Sequence, residues 1–318
     1  MLALSAAAPL LATIVLLLAG TGDRPADAAR EARWHPASSE RWQYQLESGN
    51  RRFSSTGGID VGICERPAGG GPCVRPDVFD IDLYVDGRIA GNDRTINSAA
   101  VDAIHARGAH AVCYVAAGDA ERFRPDYPRY VRFDRRHGYS LIGKPFSRRF
   151  PNEYWLNLKN GHGQRDFVLR RVEARTRKCA RARFDGIEYD VVDAYAQGRK
   201  VTGWRITARH QLVFNRALAQ MAHRHALSVA LKNDLGQVPK LEPAFDYAIN
   251  EQCFQYSECT NGPPPGYRAF TRAGKAVFQV EYQIRRRRFC ERAASLRFAA
   301  IKKAGDFSLR ARPWLPCA

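Results

Sequence analysis

The chain has 318 residues, of which 45% are hydrophobic, 11% aromatic and 26% charged, and its formal net charge is +18. This apolar and aromatic content excludes an intrinsically disordered chain, and no collagen, heptad or multi-span membrane pattern is present. The arginines are scattered over loops and polar helix faces instead of gathering with aromatic residues in one groove. We therefore predict no nucleic-acid partner, and expect at most an association with anionic cell-surface polymers.

The N-terminal segment has the pattern of a targeting signal. Residues 2–19 are almost wholly apolar, and the polar stretch that follows ends in Ala26-Asp27-Ala28, an A-x-A cleavage pattern. This predicts a signal peptide over residues 1–28, a mature domain over 29–318 and a secreted, extracellular protein. The alternative is an uncleaved membrane anchor, because about 18 apolar residues is marginal for spanning a bilayer.

After this segment, short β-branched or aromatic runs alternate with longer helical patterns. The eight predicted strands are Trp42–Leu46, Val78–Val85, His110–Ala117, Trp155–Leu158, Phe184–Asp190, Leu227–Asn233, Phe245–Cys253 and Ala276–Tyr282. The predicted helices are Ile96–Arg107, Gln164–Arg181, Thr207–His225 and Arg287–Lys303. Strand, helix and strand at this spacing indicate βαβ units and a parallel sheet. Eight such units in fewer than 300 residues predict an α/β fold, a single (β/α)8 TIM-like barrel.

The eight cysteines form an even set, and none has the C-x-x-C spacing of a zinc site. In an exported chain such a set predicts disulfides that close loops. Cys64 and Cys73 bracket one short segment, Cys253 and Cys259 bracket another, and Cys290 with Cys317 would tie down the tail. Cys113 lies inside an apolar strand pattern, where a buried free thiol is an equal alternative.

Carboxylates gather at the predicted strand ends, where the active site of such a barrel lies. Period-two alternation places Glu188 and Asp190 on the barrel side of the fifth strand and Tyr189 on the helix side. An ion pair with Lys232 is one interpretation of Glu188. For Asp190 and Glu251, at two different strand ends, we favour chemistry, because a buried carboxylate is costly without a partner or a role.

Other enzyme classes lack their motifs. The sequence has no H-x-x-x-H or H-E-x-x-H pair and no G-x-S-x-G elbow. We therefore predict neither a metal site nor a cofactor, and no serine-hydrolase chemistry. Two carboxyl groups in a cleft rich in tyrosine, tryptophan and amide side chains are typical of a glycosidase.

A specific family resemblance rests on motifs spread in order over the mature chain. They are Trp34-His35-Pro36, Trp42-Gln43-Tyr44-Gln45-Leu46, Phe79-Asp80-Ile81-Asp82-Leu83-Tyr84, Cys113-Tyr114, Gly118, Arg124-Pro125-Asp126, Trp155-Leu156, Phe184-Asp185-Gly186, Leu231-Lys232-Asn233-Asp234, Asn250-Glu251-Gln252-Cys253-Phe254 and Gly274-Lys275-Ala276-Val277-Phe278. In these the chain resembles the endo-α-1,4-polygalactosaminidases, glycoside hydrolase family 114. The resemblance implies a barrel that cuts α-1,4-linked galactosamine polymers with Asp190 and Glu251 as catalytic pair.

The chain departs from this family at the fifth strand. The family's pattern is commonly Glu-Pro-Asp-Asn-x-Asp, whereas here Glu188-Tyr189-Asp190-Val191-Val192-Asp193 lacks the proline and the asparagine. The carboxylates are kept, so the departure concerns substrate preference more than the fold.

The sequence thus predicts an exported, monomeric glycoside hydrolase acting on a galactosamine-type polysaccharide. Asp190 is the predicted nucleophile or base and Glu251 the proton donor, with retention of configuration favoured. Side chains predicted to contact substrate are Asp82, Tyr114, Glu188, Asp193, Lys232, Asn233, Gln279 and Tyr282. Two alternatives remain, a non-catalytic polysaccharide-binding barrel and a basic cell-surface adhesion protein.

Overall fold

The structure is a computed structural model that describes residues 33–66, 69–260 and 266–317. The predicted signal peptide, residues 1–28, lies outside the described residues. Within the described part, no helix has both the length and the apolar character needed to cross a membrane.

The main sheet is a nearly closed barrel of parallel strands. The strands of the described chain are β1 (Trp42–Gln45), β2 (Val78–Asp82), β3 (His110–Ala116), β4 (Asp119–Glu121), β5 (Ile142–Pro145), β6 (Glu153–Leu156), β7 (Gly186–Asp190), β8 (Ser228–Lys232), β9 (Tyr247–Glu251), β10 (Val277–Glu281), β11 (Ala299–Lys302) and β12 (Leu315–Pro316). The strand order of the main sheet is β1-β2-β3-β7-β8-β9-β10-β11-β12. Every neighbouring pair is parallel except β11 with β12. Eight parallel strands therefore form the predicted (β/α)8 barrel.

Helices connect the strands, and the longer ones pack against the sheet or against each other. They are α1 (Gly87–Ala90), α2 (Ser98–His105), α3 (Tyr127–Arg136), α4 (Gln164–Arg181), α5 (Ala194–Thr202), α6 (Ala208–Arg224), α7 (Val238–Leu241), α8 (Arg268–Arg272) and α9 (Cys290–Leu296). In α4, the buried residues Val168, Val172 and Cys179 follow each other at four and seven positions, so they share one face of the helix. This face lies toward the sheet. Helix α6 begins with a capping box, in which the Thr207 side chain accepts from the backbone N–H of His210. Both helices match their predicted bounds to within one residue.

One predicted strand and one predicted helix are wrong. Strand β6, which covers part of the predicted fourth strand Trp155–Leu158, lies outside the barrel in a small antiparallel sheet of order β4-β6-β5. The predicted helix Arg287–Lys303 ends early as α9, and its last residues form β11 instead, which supplies the eighth parallel strand. The chain breaks there because Arg297 takes a left-handed conformation, with φ of 59°.

The interior of the barrel is filled in two layers. Near the amino ends of the strands, Trp42 stacks on Phe278 with ring centroids 5.5 Å apart, and Tyr247 meets the same ring edge-on at 5.7 Å. Asp80 and Glu188 lie further along the strands, and both are fully buried. The aromatic rings thus fill the barrel at the amino ends of the strands. The layer of charged side chains lies nearer to the carboxyl ends.

The tail of the chain covers the seam between β1 and β11. The Lys303 ammonium, 1% exposed, donates to Gln43 Oε1 at 3.0 Å and to the carbonyl oxygen of Arg310 at 2.5 Å. The Trp314 indole N–H donates to the carbonyl oxygen of Trp42 at 2.8 Å. These side chains link the two strands where the ladder does not close.

All the cysteines are paired. The predicted disulfides Cys64–Cys73, Cys253–Cys259 and Cys290–Cys317 are confirmed. The alternative of a free thiol at Cys113 is wrong, because Cys113 on β3 is bonded to Cys179 on α4. An apolar strand pattern indicates that Cys113 is buried. Only the packing of α4 on β3 shows that Cys179 lies opposite.

Candidate active site

Three neighbouring strands end in the residues that form the centre of the site. Asp190 is the last residue of β7, Lys232 of β8 and Glu251 of β9. The next residue is left-handed in each case, with φ of 61° at Val191, 47° at Asn233 and 64° at Gln252. Such backbone is uncommon for residues other than glycine and is concentrated at functional sites. The three turns end each strand at the same level, which brings the three charged side chains together.

Lys232 lies at the centre of this group. Its ammonium is 2.5 Å from Glu188 Oε1, 3.3 Å from Asp190 Oδ1 and 3.3 Å from Glu251 Oε2. It also donates to the Tyr44 hydroxyl at 2.9 Å. Burial by itself would lower the pKa of Lys232, but the three carboxylates raise it well above its ordinary value. The lysine is therefore a fixed positive charge, 1% exposed, beneath two more open carboxylates.

Asp190 and Glu251 each hold further hydrogen bonds. Asp190 accepts from the Tyr114 hydroxyl at 2.9 Å and from the backbone N–H of Val191 at 2.8 Å. Glu251 accepts from the Tyr282 hydroxyl. Their side chains are 21% and 27% exposed, so both carboxylates are oriented by protein donors and still reach solvent.

Behind Lys232 lies a second, buried carboxyl pair. Burial raises the pKa of Asp80 well above its ordinary value, and the neighbouring Glu188 adds to this. This setting shifts Asp80 toward its neutral form, and neither of its carboxyl oxygens has a hydrogen-bond partner within the described residues. Glu188 also accepts from Tyr44 at 3.0 Å and pairs with Lys232. The ion pair that the sequence left open for Glu188 is present.

A cavity of about 790 Å³ opens above these groups. Its carboxylates outnumber its cations by nine to three. The acidic residues are Glu47, Asp82, Asp86, Asp93, Glu121, Glu153, Asp190, Asp193 and Glu251, and the basic ones are Arg88, Arg124 and Arg149. The cleft is thus acidic although the chain carries a net charge of +18. Such a cleft raises the local concentration of a cationic ligand.

The predicted substrate-contacting residues divide into two groups. Asp82, Tyr114, Asp193 and Asn233 line the cavity. Glu188, Lys232, Gln279 and Tyr282 are at most 1% exposed and lie beneath it, so they support the cavity floor.

Three of the eight residues have a hydrogen-bond partner or a pKa shift that bears on their role. Both oxygens of Asp82 accept from Arg124, at 2.8 and 2.6 Å, so this carboxylate is already paired. Gln279 donates to Glu281 at 2.8 Å. Burial, with Asp190 next in effect, raises the pKa of Asp193 to about 6. These placements leave the substrate roles of all eight residues as predictions.

The sequence interpretation missed one wall of the cavity. This wall comes from the connection between β3 and β7, which carries the small sheet β4-β6-β5 and contributes Glu121, Phe123, Phe146, Phe150 and Glu153. Phe123 is 48% and Phe150 39% exposed, which is unusual for large apolar side chains and typical of a ligand-contacting surface. The sequence did carry one signal for this wall, namely the long connection between β3 and β7. Segments that follow barrel strands form the active-site face.

The fifth-strand departure has a visible structural setting. Val191, where the family commonly has asparagine, adopts φ of 61°, a conformation that asparagine tolerates and a β-branched residue rarely does. The neighbouring Gly118 is required, because a Cβ there would lie 1.7 Å from the carbonyl oxygen of Val191. The turn that presents Asp190 is therefore kept with a less favourable residue.

No group of three or more histidine, cysteine or acidic residues within the described ranges is arranged to hold a metal ion. The arrangement provides two solvent-accessible carboxyl groups, a buried cation between them and two tyrosine hydroxyls. These groups can donate a proton and stabilise or attack a developing positive centre.

Comparison with known proteins identifies the family of this chain. The model of glycoside hydrolase family GH114 matches residues 23–312. The chain belongs to family GH114. The resemblance given by the sequence motifs is confirmed, and this GH114 chain is a glycoside hydrolase.

Solved structures of low sequence identity show the same fold. Ega3 of Aspergillus fumigatus, solved in complex with galactosamine, is 24% identical, with a TM-score of 0.66 over 88% of this chain and 96% of that chain. The glycoside hydrolase domain of PelA from Pseudomonas aeruginosa is 12% identical, with a TM-score of 0.52 over 86% of this chain and 96% of that domain. No curated protein matches the GH114 chain.

Proposed function

We propose that this GH114 chain is an exported hydrolase that cleaves α-1,4-linked galactosamine polymers with free amines. The observation that supports this best is the pair Asp190 and Glu251. Both carboxylates contact the buried Lys232 at the floor of an acidic cavity. A glycosidase needs two carboxyl groups on either side of the scissile bond, and these two reach the cavity from different strands.

Asp190 acts as the nucleophile. It accepts hydrogen bonds from Tyr114 and Val191 and lies 3.3 Å from the Lys232 ammonium, and these three groups hold its carboxyl group in one orientation. In the first step, Asp190 attacks the anomeric carbon as the bond to the leaving oxygen breaks. The product of this step is a glycosyl ester of Asp190.

Glu251 acts as the acid and then as the base. In the first step it gives its proton to the leaving glycosidic oxygen, and in the second it takes a proton from the water that hydrolyses the ester. The Tyr282 hydroxyl orients its Oε1. Lys232 stabilises the carboxylate that forms each time the proton leaves.

We propose retention of configuration, because the upper limit on the separation of the pair covers the whole retaining range and reaches only the lower edge of the inverting one. Asp190 Oδ1 and Glu251 Oε2 each lie 3.3 Å from the same nitrogen atom, so they are no more than twice that distance apart. Retaining enzymes keep their carboxyl groups about 5–5.5 Å apart, whereas inverting enzymes need about 6.5–9.5 Å to admit a water molecule.

The choice of an amine-bearing polymer rests on charge, and the choice of galactosamine as its unit rests on the family. An amine-bearing polymer is a polycation, and the cavity offers it nine carboxyl groups against three arginines. The basic surface elsewhere repels such a polymer, so the acidic cleft is where it binds. The relative Ega3 was solved with galactosamine, which agrees with this choice.

A panel of polysaccharides tests the proposed function. We expect new reducing ends from α-1,4-galactosaminan and none from chitosan, chitin, polygalacturonate or starch. The matched control is the Asp190→Asn, Glu251→Gln double variant, which should be silent on every polymer. Release from an anionic polymer, but not from galactosaminan, would contradict the substrate class while leaving the glycosidase intact.

Export follows from the leader pattern and is supported by the four disulfides, which persist in oxidising compartments. We expect the full chain, expressed in a secreting host, to appear in the medium with Ala29 as its first residue. Intact-mass measurement checks this. A chain that stays in the membrane fraction with residues 1–28 attached would instead support the uncleaved anchor.

A further inference from the structure

Strand β6 presents a carboxylate and an aromatic ring on the same face. Glu153 and Trp155 are two residues apart, so alternation puts both on one side of the strand and Tyr154 on the other. Glu153 pairs in register with Glu121 on β4. Glu121, Glu153 and Trp155 all line the cavity, whereas Tyr154 does not. This face of the small sheet therefore belongs to the cavity that holds the proposed catalytic pair.

The two glutamates of this face differ in their partners. Glu121 is neutralised by Arg124 at 2.7 Å and approached by Arg175 at 3.4 Å. Arg124 and Arg175 are themselves shared with Asp82 and Asp126. Among the described residues, no hydrogen-bond donor or cation contacts the carboxylate of Glu153. Glu153 is thus a half-buried carboxyl group that lines the cavity and has no partner among the described residues.

Its surroundings favour an incoming cation. Burial, followed by Glu121 and Asp190, raises the pKa of Glu153 to about 8, and only Arg124 opposes this. Asp119, two residues before Glu121 on β4, is 1% exposed, and neither of its oxygens has a hydrogen-bond partner in the described chain. Burial, with Glu121 and Glu153 next in effect, raises its pKa as well. A cation bound beside Glu153 would reduce the repulsion among the carboxyl groups of Glu153, Glu121 and Asp119.

The aromatic groups beside Glu153 suit a sugar ring. Trp155 stacks on Phe146 with centroids 4.6 Å apart, and Phe150 lies next to them, 39% exposed. The indole N–H of Trp155 has no acceptor among the described residues. An amino sugar offers an apolar ring face, hydroxyl acceptors and an ammonium group, which match these three features in turn.

We propose that Glu153 binds the ammonium group of a galactosamine unit in a subsite beside the catalytic pair, and that it determines the preference for free amines over N-acetyl groups. The proposal rests on the proposed function and adds to it the residue that reads the amine. An acetamido group carries no charge and is bulkier, so it would leave the carboxyl group of Glu153 without a cationic partner.

Kinetics on two polymers test this assignment. For Glu153→Gln, we expect kcat/KM on fully deacetylated galactosaminan to fall about tenfold or more, while kcat/KM on a partly N-acetylated polymer changes little. The conservative variant Glu153→Asp keeps a carboxyl group and should recover part of the preference. The matched control is Glu47→Gln, which removes a carboxylate from the same cavity that already has Arg310 as partner, at 3.4 Å. Its effect on the preference should be smaller.

A binding measurement gives a second readout that does not need turnover. In the Glu251→Gln background, titration with a deacetylated oligosaccharide at about pH 6.5, where an amine of ordinary pKa is charged, should release protons. The release is measured from heats in buffers of different ionisation enthalpy. Adding Glu153→Gln should abolish it, since the proton comes from Glu153 when the ammonium arrives. The charged and titratable neighbours Glu121, Asp119, Asp190 and Arg124 stay unchanged in this comparison.

The outcomes separate the two proposals. If the wild-type chain cleaves no galactosamine polymer, the proposed function fails. If the wild-type chain cleaves the deacetylated polymer and Glu153→Gln keeps the same preference and the same proton release, the subsite assignment alone is overturned. Circular dichroism and a denaturation curve establish that each variant is folded.

Discussion

Replacing Asp190 by asparagine or Glu251 by glutamine is expected to lower kcat by at least about 10²- to 10⁴-fold, with substrate binding largely kept. Both changes preserve shape and remove the charge or the transferable proton. Binding of a deacetylated oligosaccharide to each variant, measured by calorimetry, separates loss of chemistry from loss of affinity. The control is Asp93→Asn, which removes an exposed carboxylate at the rim of the same cavity and should leave kcat nearly unchanged.

Azide distinguishes the two roles. Asp190→Gly leaves room for azide in place of the nucleophile, so we expect rescued activity and a glycosyl azide of configuration opposite to that of the substrate. With Glu251→Ala, azide attacks the ester of Asp190, which gives a glycosyl azide of the substrate's own configuration. The reversed pair of products would exchange the assigned roles. Inverted configuration in the wild-type hydrolysis product would refute retention.

Lys232→Met is expected to cost both activity and stability. The change keeps an unbranched side chain that is one atom shorter, and it removes the charge that contacts Glu188, Asp190 and Glu251. Glu188, fully buried, then loses its cation, and breaking a buried pair costs about 3–5 kcal/mol of the free energy of unfolding. We expect a fall in kcat of the same order as for the catalytic carboxylates, because Asp190 and Glu251 lose their common partner. Denaturant titration and steady-state kinetics measure the two effects.

A double variant separates these effects. In Lys232→Met with Glu188→Gln, the uncompensated charge is gone, and stability should return toward that of the wild type. Activity should stay low, because the ammonium between Asp190 and Glu251 is still missing. Recovery of activity together with stability would show that Lys232 is needed only to neutralise Glu188.

Local sequence rules were sufficient to locate the centre of the site. Alternation along β7 put Glu188 and Asp190 on the barrel side and Tyr189 on the helix side, and Tyr189 indeed contacts Thr176 of α4 at 2.7 Å. The position of Glu251 followed from its place at a strand end. These inferences hold because strand alternation depends only on neighbouring residues and because parallel strands end at the same edge.

Contacts between distant segments were beyond those rules. Strand β6 and β11 illustrate this, since both are short apolar runs whose pattern fits more than one element. Pairing decides their place, and β6 finds antiparallel partners in β4 and β5, whereas β11 finds the parallel edge of β10. Because that choice depends on tertiary packing, the sequence patterns predicted β6 as a barrel strand and β11 as part of a helix.

By itself, the sequence predicted the barrel, the family, candidate pairings for three of the four disulfides and the strand ends that carry the carboxylates, because all of these depend on local patterns or on motifs in order. Only the tertiary structure decided that Lys232 contacts both Asp190 and Glu251, that Asp80 is buried next to Glu188, and that Glu153 has no partner among the described residues of the cavity. Charge state and pairing depend on burial and on which distant groups come within a few ångströms. Those are properties of the folded chain.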